Sequence, residues 1–300
     1  MRTKIIVFFI ALIFLLTSYK QEKEIIKEDK IINNDNTKTV NVLKSDEIIN
    51  LELEEYIIGV VACEMPASFN TEALKAMSVA ARTYALYKMK RNKTYDLTST
   101  TKDQCYINNS EMKKKWGKNY QKYYNRIKEI VNQTKGEYLT YNDDIIIAFY
   151  FSISNGKTEN VEHVFSQKLN YLVSVDSSWD SKYSYKKDSK ELSVDSFLKK
   201  LGIKDKSIKN IDIKRYDTGR VKTIKINNKS IKGTTFRQKL GLKSTDFEIK
   251  YDKTKVTINT KGYGHGVGMS QYGANAMANM GYKYDEILKH YYTGVKIMHN

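Results

Sequence analysis

One carboxyl group in the sequence stands where proton-transfer chemistry is feasible. Glu64 follows Cys63 and precedes Met65 and Pro66, the only proline of the chain. Proline disfavours helical geometry at the residue before it, so a helix arriving from the N-terminal side must end near Glu64. A side chain at such an end projects into a cleft, where apolar surroundings raise the pKa of a carboxyl toward the range of a general acid. Glu64 is therefore the candidate catalytic acid and base; the alternative is a solvated or capping glutamate.

A second segment with an unusual composition surrounds His265. The run Gly262–Ala274 holds five of the 15 glycines in the chain. Dense glycine lets backbone amides approach a ligand closely, and a helix that begins at Ser270 would direct its N-terminal donors toward that ligand. The segment predicts a carbohydrate or anion site; the alternative is a glycine-rich hairpin that binds nothing.

The chain is long enough for a sizeable core, and it is strongly basic. Its 300 residues, 41% of them hydrophobic, can form one large core or two modest ones. Lys and Arg total 51 against 34 Asp and Glu, a net charge of +17. This excess predicts an acidic polymer or surface as the partner, and nucleic acid, anionic lipid and cell wall all meet that description.

The N-terminus decides among these partners. Arg2 and Lys4 precede the apolar run Ile5–Leu16, the order found in export signals. Extended through Tyr19, the run covers roughly 22 Å of helix, less than the roughly 30 Å hydrocarbon core of a bilayer. Because neither an Ala-x-Ala cleavage signal nor a lipid-accepting cysteine follows, we favour an uncleaved membrane anchor over residues 1–20, followed by a polar spacer over residues 21–45. Export argues against nucleic acid as the partner.

Two helices are expected to position Glu64. Apolar residues at positions 53, 56, 57, 60 and 61 lie on one helical face, and this helix stops near Pro66. Asn70 or Thr71 can cap a second helix that runs to about residue 90, with Arg82 off its buried stripe. That stripe consists of Leu74, Met77, Ala81 and Tyr84. A basic, Tyr-rich helix is expected over about 110–133, and a strand over 145–153.

Beyond residue 171 the sequence becomes polar, with short strand-like segments. Residues 211–216 and 221–226 flank Asp217-Thr218-Gly219-Arg220, which is a hairpin signal, and a helix is expected near 194–201. We interpret residues of about 181–252 as an inserted β-rich subdomain, after which a strand at 255–260 returns the chain to the main domain. The predicted fold class is α+β, a mixed core domain over residues 46–300 with this insertion, preceded by one N-terminal transmembrane helix.

The cysteines and histidines leave several chemistries open. Export would permit a disulfide between Cys63 and Cys105, but the sequence does not decide whether they meet. The four histidines are scattered, and we predict no metal and no other cofactor. Cys63 and His265 could serve a thiol peptidase, although nothing around Cys63 resembles a nucleophile motif.

Five motifs in a fixed order together resemble the stage II sporulation protein D family. They are Cys63-Glu64-Met65-Pro66, Ala80-Ala81-Arg82-Thr83-Tyr84, Asp103-Gln104-Cys105-Tyr106, Ser154-Asn155-Gly156-Lys157-Thr158-Glu159-Asn160 and the His265 loop. The resemblance extends over about residues 46–297. It implies a lytic transglycosylase that cleaves the bond between N-acetylmuramic acid and N-acetylglucosamine in peptide-stripped glycan strands, leaving 1,6-anhydro ends. An internal hydroxyl nucleophile removes the need for a second carboxylate, so Glu64 alone suffices.

The same resemblance assigns the other motifs to the walls of a substrate cleft. Arg82 suits a lactyl carboxylate, and the polar side chains suit sugar hydroxyls. The candidate substrate-binding residues are Arg82, Gln104, Tyr106, Ser154, His265, Gly266, Ser270 and Gln271. Some relatives look to carry Cys and His around the Ser154 turn, where this chain has Asn155, Gly156 and Lys157; this departure lowers the case for a metal.

Location and partners follow from the resemblance as well. It implies action on peptidoglycan during engulfment in sporulation, from the mother-cell membrane, with the catalytic domain facing the intermembrane space. It also implies two partners, the amidase stage II sporulation protein P and the membrane protein stage II sporulation protein M. The alternative function is a non-catalytic, peptidoglycan-binding amidase enhancer, because vegetative relatives with that name resemble the same domain.

Overall fold

The computed structural model describes residues 38–89, 91, 94–182 and 188–299. The predicted anchor over residues 1–20 and most of the predicted spacer lie outside these ranges. Within them, none of the helices combines the length and the apolar character that crossing a bilayer requires.

The described residues form a mixed α+β fold, as the sequence predicts. Their eight α-helices are α1 (Leu53–Glu64), α2 (Thr71–Met89), α3 (Asn109–Trp116), α4 (Tyr120–Gln133), α5 (Val194–Leu201), α6 (Gly233–Leu240), α7 (Gln271–Asn279) and α8 (Tyr284–Tyr291). The strands are β1 (Thr39–Lys44), β2 (Glu47–Glu52), β3 (Leu97–Thr98), β4 (Glu137–Tyr141), β5 (Asp144–Ile145), β6 (Tyr150–Phe151), β7 (Asp188–Ser193), β8 (Ile211–Arg215), β9 (Val221–Ile226), β10 (Lys229–Lys232), β11 (Asp246–Tyr251), β12 (Lys255–Lys261), β13 (Met269–Ser270) and β14 (Lys296–His299).

These strands make five small sheets rather than one large one. The strand orders are β2-β1-β3, β14-β4-β5, β13-β6, β10-β9-β8 and β11-β12-β7. The pairs β1–β3 and β6–β13 are parallel, and the two sheets β10-β9-β8 and β11-β12-β7 are antiparallel throughout.

Helix α2 lies at the centre of the main core. It contacts α1, α4, α7, α8 and β4, which surround it on all sides. The predicted stripe of Leu74, Met77, Ala81 and Tyr84 is buried, but so is every other residue from Ala73 to Leu86 except Lys75. Periodicity marked one apolar face correctly; the small alanines between its members are what allow neighbours to pack on the remaining faces as well.

The end of the predicted polar spacer is a core strand instead. In β1, Val40 and Val42 are fully buried, and Val42 pairs with Leu97 of β3. The two valines alternate with polar residues, which is the pattern of a half-buried strand. The spacer prediction over residues 21–45 is therefore wrong for residues 39–44, because a six-residue strand is too short to change the composition of a polar region.

The predicted β-rich insertion forms a second core. The predicted hairpin appears as β8 and β9, and the predicted helix appears as α5. Helices α5 and α6 cover apolar residues of the two antiparallel sheets, with Phe197, Phe236 and Phe247 at the centre. Strand β12 pairs with β7 and β11, so it belongs to this second core and does not yet return to the main one.

The predicted basic helix over residues 110–133 is two helices. Gly117 adopts φ of 50° after Trp116, and a short 3-10 turn over Gly117–Asn119 leads into α4. A residue with positive φ cannot continue an α-helix, and glycine adopts positive φ without strain. The break brings the aromatic side chains of the two helices together.

Candidate active site

Glu64 is the last residue of α1, as the position of Pro66 predicts. The chain leaves the helix through Met65 in extended geometry, and the Met65 amide donates to the Val61 carbonyl. The ammonium group of Lys115 donates to the carbonyls of Ala62 (2.8 Å) and Cys63 (3.3 Å). A lysine at the C-terminal end satisfies carbonyls that the helix leaves open, so Lys115 fixes the turn that carries Glu64.

Three donors from separate parts of the chain hold the Glu64 carboxyl group. The Cys105 amide donates to Oε1 (2.8 Å), and Nε2 of Gln271 donates to Oε2 (3.1 Å). The Tyr150 hydroxyl also hydrogen-bonds this carboxyl group. Gln271 is the first residue of α7, so the helix after the glycine-rich segment does direct a donor at Glu64, though through a side chain.

Burial and hydrogen bonding act in opposite directions on the Glu64 carboxyl group. Burial raises its pKa above the ordinary value, while the three donors and the positive charge of Lys115 lower it, and burial dominates. Glu64 thus retains its proton to a higher pH than a solvated glutamate does. Burial in turn lowers the pKa of the Lys115 ammonium, against which the Glu64 charge acts.

Tyr150 connects Glu64 to a buried polar network. Nε2 of Gln104 donates to the Tyr150 hydroxyl (3.0 Å) and to the Ala81 carbonyl (3.2 Å), and the Tyr56 hydroxyl donates to Oε1 of Gln104 (3.2 Å). Since the Tyr150 oxygen accepts from Gln104, its proton is available to Glu64. Burial and the nearby Glu64 charge raise the Tyr150 pKa well above the ordinary value, so it remains a donor. Gln104 is therefore near the site but behind Tyr150, and not on the cleft surface.

Sequence reasoning missed Tyr150 and Lys115. Tyr150 lies within an apolar run that predicts only a strand, and Lys115 is one of three consecutive lysines in the predicted basic helix. A tyrosine in a continuous apolar run needs a partner for its hydroxyl when buried, and this requirement could have singled it out. Nothing in the sequence distinguishes Lys115 from its neighbours.

Cys63 and Cys105 form a disulfide, which answers the question that the sequence left open. It joins the residue before Glu64 to the residue whose amide binds Glu64. The Cys63 sulfur is therefore not a free thiol, and the thiol-peptidase alternative loses its nucleophile.

His265 has a structural role in holding the chain around Tyr150. The Val267 amide donates to Nδ1 (3.1 Å), so the hydrogen bond between the ring and the Tyr150 backbone uses Nε2–H. The ring contacts Phe149, Phe151 and Phe165 at centroid distances of 5.6–5.8 Å. Burial, together with Arg237, lowers the pKa of His265 to about 3, so the ring is neutral. Both ring nitrogens serve the protein, and the prediction that His265 contacts substrate is corrected.

The glycine-rich segment packs closely against other parts of the protein. Gly262, Gly264, Gly266 and Gly268 all have positive φ. A Cβ at Gly268 would lie 2.0 Å from the Phe149 carbonyl oxygen, and one at Gly266 would lie 2.7 Å from a buried guanidinium. Close packing against backbone and side chains therefore accounts for the glycines at these positions, which favours the hairpin alternative. The contact of Gly266 with substrate stays a prediction.

Arg82 is fully buried and does not face the cleft. Its Nε and Nη2 donate to the two carboxylate oxygens of Glu54 (2.8 and 2.6 Å), and its Nη1 donates to the Glu137 carbonyl (3.1 Å). A bidentate pair with such geometry uses the donors that a substrate carboxylate would need. The prediction that Arg82 binds a lactyl group is corrected: it joins α1, α2 and β4.

Ser154 and Ser270 are also buried, and both bind Asp180. The Ser154 amide (2.6 Å) and the Ser270 hydroxyl (2.7 Å) donate to Oδ2 of Asp180, and the Ser270 hydroxyl accepts from the Gly273 amide as the cap of α7. Neither side chain reaches the cleft, so both predictions are corrected. Ser270 acts indirectly, because its cap fixes the helix that carries Gln271.

The motif after Ser154 joins the two cores. The Asn155 amide group donates to the Thr218 carbonyl and to the Asp246 carboxylate (both 2.8 Å), and the Thr218 hydroxyl donates to Glu159.

Tyr106, another predicted contact, is buried, and its ring stacks on the Tyr56 ring with the centroids 5.4 Å apart. Over the described ranges, no group of three or more His, Cys, Asp or Glu side chains is placed to hold a metal ion.

The cleft beside Glu64 has a volume of about 430 Å³. One side is the chain Cys63–Ser68, and the other is formed by Lys115, Trp116 and Tyr123. Of the nine predicted site residues, Glu64 lines this cleft and Gln271 binds its carboxyl group, while the others support the framework.

The comparisons with known proteins confirm the resemblance that the five motifs indicate. The family model for stage II sporulation protein matches residues 43–141. Stage II sporulation protein D of Bacillus subtilis (strain 168) is 44% identical over 261 residues, covering 84% of this chain and 76% of the relative. The protein of the same name from Bacillus amyloliquefaciens is 44% identical over 257 residues, covering 83% and 74%. An amidase enhancer of Bacillus subtilis (strain 168) is 34% identical over 296 residues, covering 80% of this chain and 40% of the relative. This chain belongs to the stage II sporulation protein D family.

Proposed function

We propose that the protein is a peptidoglycan lytic transglycosylase that acts on peptide-stripped glycan strands, with Glu64 as its single catalytic group. The observation that carries the proposal is the Glu64 carboxyl group itself: it lines an open cleft, its pKa is raised by burial, and three fixed donors orient it. A protonated carboxyl group that faces a cleft is equipped to act as a general acid.

In the proposed reaction, Glu64 transfers one proton twice. The protonated carboxyl group donates to the glycosidic oxygen as the bond from that oxygen to C1 of N-acetylmuramic acid breaks. The resulting carboxylate then accepts the proton of the C6 hydroxyl, whose oxygen bonds to C1 and closes the 1,6-anhydro ring. One bond breaks, one forms, the carboxyl group is restored and no water is consumed.

The donors around Glu64 favour the first half of this cycle, in which the carboxyl group gives up its proton. Gln271, the Cys105 amide and the Tyr150 hydroxyl stabilise the carboxylate that exists between the two transfers. Burial favours the protonated starting form. The two influences keep the pKa between that of a solvated glutamate and that of an unpaired buried one, so that both protonation states are accessible.

Product mass tests the proposal directly. Purified protein is incubated with glycan strands freed of peptides, and the new ends are analysed by mass spectrometry. We expect anhydro-muramic ends, which are lighter by one water than the ends left by hydrolysis. Water-added ends would make the protein a hydrolase, and uncut strands would remove the enzymatic proposal.

A second candidate is a non-catalytic enhancer of a wall amidase, which the 34% identical relative of that name supports. It shares the need for a glycan-binding cleft but not for a proton-transfer group. Stimulation of an added amidase without glycan cleavage would favour it.

Stage II sporulation proteins P and M remain proposed partners, and engulfment at the mother-cell membrane remains the proposed setting. Co-purification of the three proteins from membranes of sporulating cells tests both proposals.

A further inference from the structure

The wall of the cleft opposite the chain Cys63–Ser68 is aromatic and basic. Trp116 ends α3, Gly117 turns the chain, and Tyr123 follows on the first turn of α4. Their rings meet at 5.7 Å in an edge-to-face arrangement, and Trp116 also contacts Tyr120. Both Trp116 and Tyr123 are half-buried and line the cavity, whereas the stacked rings of Tyr56 and Tyr106 are buried.

Aromatic faces open to a cleft suit a sugar ring. The axial C–H groups of a pyranose form an apolar surface that packs on an aromatic ring, while its hydroxyl groups remain available to polar partners. The helix break at Gly117 sets the two rings against each other, so their orientation is fixed before a ligand arrives. A preformed aromatic wall lowers the conformational entropy that binding must overcome.

Lys115 adds a fixed positive charge to this wall. Its ammonium group uses two hydrogen bonds to hold the end of α1, which leaves its third N–H. Glu64 is the carboxylate whose charge acts on it, and that group is neutral when ready to act as an acid. A ligand that brings its own carboxylate would supply the missing negative charge.

We propose that Trp116 and Tyr123, with Lys115, form a subsite for a sugar ring that carries a free carboxylate, placed beside the bond that Glu64 cleaves. This inference rests on the proposed function for the identity of the bond, and it gives Lys115 the carboxylate-binding role that the sequence assigned to Arg82. It also provides a physical reason for preferring peptide-stripped strands, since an attached peptide removes that carboxylate.

The two tryptophans of the chain allow a direct test. Trp179 is the other one, and Trp179→Phe leaves Trp116 as the sole indole. In the full chain that carries Trp179→Phe and Glu64→Gln, we expect peptide-stripped strands to change the Trp116 emission as they bind. Unchanged emission at saturation, with binding followed independently by sedimentation of the strands, would overturn the subsite.

Affinity measurements separate the contributions of Trp116 and Tyr123 to binding of the strand. In the Glu64→Gln chain, Trp116→Ala and Tyr123→Ala should each weaken binding of stripped strands by about tenfold, as truncation of a central aromatic contact does. Tyr251→Ala, which removes an exposed ring at the end of β11, is the matched control and should leave affinity unchanged. Circular dichroism establishes that each variant is folded, and two independent rings keep the test valid if one substitution unfolds the protein. Unchanged affinity in the folded variants would refute the proposal.

Charge is tested with chemically matched strands. Stripped strands and the same strands with carboxyl groups converted to methyl amides are compared. The Glu64→Gln chain should bind the strands with free carboxylates more tightly. Adding Lys115→Met to this chain should abolish that preference. Adding the control substitution Lys199→Met, on the exposed face of α5, should leave the preference unchanged. Retained preference in Lys115→Met would exclude this lysine. Cleavage by the wild type is measured separately. Strands that bind at Trp116 without being cut would support the subsite and contradict the proposed transglycosylase activity. Cleavage that no Trp116 substitution affects would support the activity and contradict the subsite.

Discussion

The Glu64 cleft and the His265 segment look equally suited to chemistry in the sequence, yet the structure uses them differently. Glu64 lines an open cavity and its carboxyl group faces donors from three separate elements. His265 has both ring nitrogens engaged by the backbone, and the glycines around it contact other parts of the protein. The difference teaches that an unusual composition marks a geometrical demand, which ligand binding and tight packing both create.

The two regions also depend on pH in opposite ways. Burial raises the Glu64 pKa, so this group contributes stability below its unfolded pKa and loses it as pH rises through the folded value. Burial lowers the His265 pKa to about 3, so this group contributes stability above its unfolded pKa and loses it as pH falls. The pH dependence of stability and single substitutions therefore distinguish the two regions.

The largest expected effect is on the glycine segment. Gly268→Ala places a methyl group 2.0 Å from the Phe149 carbonyl oxygen, at φ of 76°. Because a backbone atom must move and the new residue is strained, we expect a loss of about 3–5 kcal/mol in the free energy of unfolding. Urea denaturation measures it. Gly281→Ala is the matched control, since Gly281 also has positive φ but meets nothing within 4 Å; an equal loss in both would attribute the effect to φ alone.

The disulfide should matter for stability more than for chemistry. Cys63→Ala with Cys105→Ala opens a link across 42 residues of sequence, which corresponds to about 4 kcal/mol of loop-closure entropy in the unfolded chain. Glycan cleavage should persist under conditions where the variant is folded, because the Cys105 contact to Glu64 is a backbone amide. Complete loss of activity in a folded double variant would return the sulfur atoms to the mechanism.

His265 should control the acid side of the stability profile. Below its unfolded pKa of about 6.5, the unfolded chain binds a proton that the folded chain refuses, so wild-type stability falls as pH decreases. His265→Gln removes that proton and should flatten the fall, although it lowers stability at neutral pH through lost packing on the phenylalanines. Chemical denaturation across this pH range measures both slopes. Parallel slopes in variant and wild type would mean that the ring is solvated.

Glu64→Gln should have the smallest effect on stability, and of the opposite sign. At neutral pH the variant no longer buries a partly charged group, so it should be at least as stable as the wild type. The difference in the free energy of unfolding should decrease as pH falls, because the wild-type carboxyl group then becomes protonated. A variant clearly less stable at neutral pH would show that the three donors outweigh burial and that the Glu64 pKa is not raised.

Single residues show which features of the site can be predicted from the sequence. Pro66 determines where α1 ends by a local steric rule, and the position of Glu64 follows from it. Arg82 lies off the apolar stripe of α2, yet α2 is central, so its polar side chain is buried and paired with Glu54. Tyr150 reaches the Glu64 carboxyl group through its place in β6, which pairs with β13 far along the chain. Lys115 and Trp116 reach the cleft because the end of α3 packs beside the end of α1. Local rules place residues along elements; they do not say which face of each element meets which neighbour.

Glycan cleavage by Glu64→Gln tests most directly whether Glu64 is the catalytic acid and base. The substitution keeps the shape of the side chain and removes the exchangeable proton, while Trp116, Tyr123 and Lys115 remain to bind the strand. General acid and general base roles are each worth about 10² to 10⁴ in rate, so loss of both should reduce anhydro-end formation to background while the affinity for stripped strands remains close to that of the wild type. Cleavage by Glu64→Gln at a rate near that of the wild type would contradict the account.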